Sequence, residues 1–65
     1  MIWEKQSNGD WIAQGKKGHF LLWKYGGIWR GLYMQEFVRV VRFRFYANDL
    51  KQAKKIAEEN YYWEV

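Results

Sequence analysis

The glycine pair Gly26-Gly27, set between two runs of aromatic and branched residues, constrains this chain more than anything else in it. Residues 19–25 precede the pair and residues 28–34 follow it. Adjacent glycines suit a two-residue hairpin turn, because its central positions take positive φ. The segment therefore predicts two antiparallel strands in a fixed register. Tyr25 falls opposite Ile28, Trp23 opposite Arg30 and Leu21 opposite Leu32 on one face. Phe20, Leu22, Trp29 and Tyr33 fall on the other, since successive strand side chains alternate.

The same punctuation recurs along the first three-quarters of the chain. Asn8-Gly9 separates residues 2–6 from 10–14, and Lys16-Lys17-Gly18 makes the next corner. Met34-Gln35-Glu36 reads as a turn into a β-branched and aromatic strand over residues 37–46. From Asp49 the period changes. Leu50, Ala53, Ile56 and Ala57 recur at helical spacing, with Asp49 as N-cap and Gln52 three residues on as its capping-box partner. The helix should stop near Asn60, a residue that tolerates the left-handed C-terminal conformation. Residues 61–65 alternate again and read as a last strand. The expectation is one α+β domain over residues 1–65: an antiparallel sheet of five or six short strands, one α-helix (about 49–59) packed on one face, and a short C-terminal strand.

The strand over 37–46 can enter the sheet in two ways. A three-residue loop puts Phe37, Val41, Phe43 and Phe45 on the Phe20 face, and Arg30, Val38, Val40, Arg42, Arg44 and Tyr46 on the other. A two-residue loop exchanges the faces of that strand. The first register is preferred because it gathers the apolar residues on one side and three of the four arginines on the other. Arg39 is its exception and is expected at a sheet edge or a bulge.

A chain of 65 residues must stabilise one small core without help from a disulfide, because it has no cysteine. Fourteen Trp, Tyr and Phe residues supply the burial instead. One His and seven scattered carboxylates make no metal-ligand set, and no cofactor is expected. No segment reaches the roughly 20 apolar residues of a membrane span. The start has no signal-like run, so a complete, soluble, cytoplasmic chain is expected. Charge is uneven: residues 1–48 carry eight basic and three acidic side chains, a net of +5, and residues 49–65 a net of −1.

One short helix can cover one sheet face. The other is left with Trp23, Tyr25, Arg30, Arg42, Arg44 and Tyr46, the candidate binding residues. Rings among guanidinium groups suit a protein interface and equally suit stacking on bases beside phosphates. They also suit a plain solvated face with arginine stems lying over the rings. Catalysis has little to draw on. His19 is the only residue that could act as an ordinary general base near pH 7, Ser7 sits in a turn, and there is no Thr or Cys. Gly15-Lys16-Lys17-Gly18 has the spacing of a Gly-x-x-Gly nucleic-acid clamp, but as a corner between strands it reads as a basic turn. Lys51, Lys54 and Lys55 form the expected solvated helix face. Glu58-Glu59 opposes the helix dipole.

Residues 11–20, Trp-Ile-Ala-Gln-Gly-Lys-Lys-Gly-His-Phe, with residues 27–33, Gly-Ile-Trp-Arg-Gly-Leu-Tyr, resemble a recurring pattern in small proteins of bacteriophages and prophages. Residues 45–60 are similar to the strand–helix unit of phage-encoded inhibitors of host enzymes, among them small anti-CRISPR proteins and an inhibitor of bacterial RNA polymerase. The resemblance implies a non-catalytic protein that blocks a bacterial host protein or nucleoprotein complex stoichiometrically. The sheet-and-helix unit also resembles the N-terminal domain of phage-type integrases, which reads DNA with its open sheet face. That implies direct DNA or RNA binding as the alternative. A homodimer formed through the open face or an edge strand is the third expectation.

Overall fold

The structure, a computed structural model, describes residues 1–60. The expected strand over 61–65 lies outside the described residues. Five strands run β1 (Glu4–Lys5), β2 (Trp11–Gln14), β3 (Gly18–Tyr25), β4 (Ile28–Gln35) and β5 (Val40–Ala47), followed by α1 (Leu50–Glu59). They form one antiparallel meander in chain order, so the domain is α+β. Each turn has a local cause. Gly26 and Gly27 take φ of 62° and 77°, the mirror-image turn whose twist matches the strands it joins. At the first hairpin the Gly9 amide donates to Gln6 at 3.0 Å, Gly9 takes φ of 93°, and Asn8 Oδ1 accepts from the Asp10 amide. The Gln6 amide donates to Asp10 at 2.7 Å and closes the loop over residues 7–9, the gap expected between 2–6 and 10–14, although of the Asn8-Gly9 pair only Gly9 takes positive φ.

Side chains on one face of the sheet and the inner stripe of α1 share a core. Ala13, Phe20, Leu22, Tyr33, Phe45, Ala47, Ala53 and Ala57 are buried together. Trp3, Trp11 and Trp29 pack against them. Two close approaches fix this arrangement. Phe45 lies directly over Gly31, where an added Cβ would meet its ring at 2.1 Å. The alanines of α1 let the helix backbone come near large rings. Asp49 accepts from the Gln52 amide at 2.7 Å as the N-cap. Gln52 in return accepts from the Asn48 amide, one residue before the cap.

Several expectations are corrected. The turn after β4 is made by residues 36–39, because β4 continues through Met34 and Gln35 to pair with Val41 and Val40. Phe37, expected in the core, lies in that turn and is 95% exposed. A register shift between Tyr33 and Met34 puts one extra residue in β5. Phe43 and Phe45 stay on the Tyr33 face as expected. Val41 moves to the opposite face beside Met34, and Val40 pairs with Gln35 on the Tyr33 side. Arg39 stands just before β5 with φ of 52°, in the left-handed region. Asn60 ends α1 with φ of −108°, outside that region, its side-chain amide donating to Ile56 at 2.8 Å. Lys54, expected in water, sits 3.8 Å from the Trp11 ring centroid. Glu58 accepts from the Trp3 indole at 3.3 Å, which gives that carboxylate a structural task. Among the described residues no helix is long and apolar enough to cross a membrane.

Candidate functional site

The sheet's second face is built by the residues that alternate with the core. Its rows follow from the register. Trp23, Arg30 and Tyr46 lie side by side across β3, β4 and β5; Tyr25 and Ile28 form the row nearest the glycine turn. Ile12, Leu21, Leu32 and Arg44 form the next row toward the opposite end, and Gln14, His19, Met34 and Val41 the one beyond. Five of the six expected binding residues, Trp23, Tyr25, Arg30, Arg44 and Tyr46, are thus brought together on one face. Tyr25 and Tyr46 are 70% and 65% exposed.

Arg42 does not join them. The register shift leaves it without a partner across the ladder, and its Nε donates to Gln35 Oε1 at 2.9 Å. Gln35 shares the Tyr33 side of the sheet, so Arg42 belongs to the bulge and not to the ring–cation row. Strict alternation put Arg42 and Arg44 together; one inserted residue separates them.

Arg30 organises the exposed patch. Its guanidinium carbon lies 5.5 Å from the Tyr25 ring centroid and 5.2 Å from that of Tyr46. Its Nε is buried without a hydrogen-bond acceptor. The cation–π contacts anticipated for a solvated face are therefore present, with the guanidinium itself held between two rings. A cleft of about 80 Å³ opens among Trp23, Arg30, Arg44 and Tyr46. Broader depressions of about 510 and 360 Å³ lie elsewhere, one along the polar flank of α1 and one between the first hairpin and the start of α1.

Leu32, which the Gly26-Gly27 register set opposite Leu21 on this face, is found there, and only its burial went unforeseen. It sits mid-face between Leu21 and Arg44 yet is only 9% exposed. The signal was available in the alignment of Ile12, Leu21 and Leu32 once β2 is paired. At the far end of the face, His19 Nδ1 lies 3.5 Å from Glu36 Oε1, which also accepts from Gln14 Nε2 at 2.7 Å. The sequence offered His19 no orienting partner, and the turn at 36–39 supplies one. Ser7 lies at the other end of β2, in the first hairpin, so no hydroxyl nucleophile adjoins this pair among the described residues. No cluster of three metal-ligating side chains occurs among the described residues. No known protein family, curated protein or solved structure matches the chain.

Proposed function

We propose that this protein is a non-catalytic binding module that engages a macromolecule through the open sheet face and blocks it stoichiometrically. One observation carries the reading: α1 covers the Phe20 face, while the opposite face holds exposed Tyr25 and Tyr46 around a fixed Arg30. Folding stability does not ask for large exposed rings, whereas interfaces draw their binding energy from Tyr, Trp and Arg. Taken with the resemblance to phage and prophage proteins, the partner is a bacterial host protein or nucleoprotein complex in the cytoplasm.

Nucleic acid is the second reading, favoured by the alternation of ring and cation in the row Trp23, Arg30, Tyr46. Magnitude weighs against it. Each phosphate contact on a single strand contributes a salt slope of roughly −0.7, so two arginines provide little of the usual electrostatic affinity.

The test is capture from a bacterial lysate by the wild-type protein and by the triple variant Tyr25→Ala, Arg44→Ala, Tyr46→Ala. The expected result is one factor retained at a fixed ratio by the wild type and lost by a variant that melts within a few degrees of it. Retention by the triple variant would remove the open face from the function. Tight, steeply salt-dependent binding of random oligonucleotides would transfer the assignment to the second reading.

A further inference from the structure

We infer that Arg30 is a receptor for a single carboxylate, so that the partner segment on the open face presents an Asp or Glu side chain to it. This inference rests on the reading of that face as the partner surface. The central position of Arg30 in the row between Trp23 and Tyr46 makes it the middle of the patch. Its guanidinium lies 5.5 Å and 5.2 Å from two tyrosine ring centroids, so the group is pre-organised rather than sweeping through solvent. Such a guanidinium loses less entropy on pairing than a free one.

The state of its nitrogens narrows the geometry. Nε is buried and has no acceptor, and Arg30 makes no hydrogen bond or ion pair with another described residue. A cation partly removed from water without a counter-charge is the arrangement that an incoming anion improves most. With Nε closed off beneath the neighbouring side chains, the side-on fork of Nε and Nη is not offered. The end-on edge of Nη1 and Nη2 remains, and it matches the two oxygens of a carboxylate. The cleft beside it, about 80 Å³, is far below the roughly 300 Å³ at which small-molecule pockets begin. It has room for one charged group. Arg44, exposed and without a partner among the described residues, supplies the second positive charge.

Charge and polarity across the rest of the face select a protein over a nucleic acid. The row next to Arg30 carries Ile12 and Leu21, half-buried side chains that offer a peptide apolar contact and offer a phosphate chain nothing. Glu4 borders that row, and Glu36 stands beside His19 at the far end. Both repel a polyanion. A segment with one acid over Arg30 and apolar side chains over Ile12 and Leu21 matches every feature of the surface.

The experiment is selection of random dodecapeptides on the immobilised full chain, followed by titration of the enriched peptides. The enriched sequences are expected to share an Asp or Glu flanked by apolar residues. Changing that acid to its amide should weaken binding by about tenfold or more, a test that leaves the protein untouched. Arg30→Lys, which keeps the charge and loses the fork, should weaken it comparably with little change in melting temperature. Chemical shifts of the Tyr25 and Tyr46 rings report where the peptides bind. Peptides that move both rings yet need no acid overturn the carboxylate assignment and leave the open face as the binding surface. Peptides that leave both rings unmoved, or no enrichment, overturn both readings. Tighter binding of a ten-residue oligothymidylate than of the best peptide overturns the protein assignment in favour of nucleic acid.

Discussion

Gly31 shows how much a single position decides here. It stands in the middle of β4, where glycine is a poor strand residue, and the Phe45 ring occupies the space its side chain would fill. Gly31→Ala should therefore destabilise the domain by about 1–3 kcal/mol through overpacking, measured by urea unfolding. Adding Phe45→Leu should recover part of that loss, since the two changes share one space. The residue scale is also where the sequence was least legible. Arg42 and Arg44 look equivalent in Val-Arg-Phe-Arg-Phe, and only the register shift at Tyr33 and Met34 separates them. Lys54 and Glu58 look like solvated helix charges, and their ties to Trp11 and Trp3 depend on contacts across more than forty residues of chain. No local pattern encodes those.

Elements, by contrast, were readable where a local signal fixes geometry. Gly26-Gly27 set the pairing of β3 with β4, and with it the placement of Trp23 opposite Arg30. The period change at Asp49 marked the helix, because the cap and the Leu50, Ala53 and Ala57 stripe lie within a few turns of each other. The turn at 36–39 carries no glycine, and its left-handed residue is Arg39, which sequence has no reason to prefer there. That is why the start of β5 was placed three residues early. Two outcomes are expected at this scale. Arg39→Gly should raise stability by up to about 1 kcal/mol in thermal unfolding, because relief of the left-handed backbone outweighs glycine's extra unfolded-state entropy. Asp49→Ala should lower it by about 1 kcal/mol and reduce helix signal in far-ultraviolet circular dichroism.

The whole molecule is a sheet with two unlike faces. A 65-residue domain has about 3–10 kcal/mol of stability at typical values per residue. Phe20→Ala on the buried face removes about 3–5 kcal/mol and should leave much of the population unfolded at 37 °C by circular dichroism. Arg44→Ala on the open face should stay within about 0.5 kcal/mol of wild type, since that side chain is exposed and has no hydrogen-bond or ion-pair partner among the described residues. Equal losses at the two positions would contradict the two-faced reading.

The tie between Trp3 and Glu58 spans 55 positions of the chain. The four later strands can zip through near neighbours, turn by turn, and α1 can settle onto them afterwards. The Trp3 indole has no Glu58 carboxylate to donate to until α1 has arrived, and β1 holds only two residues against β2. Residues 1–5 are thus the last to reach their full set of contacts. An amino-terminal fusion would burden the final stage of assembly rather than its beginning.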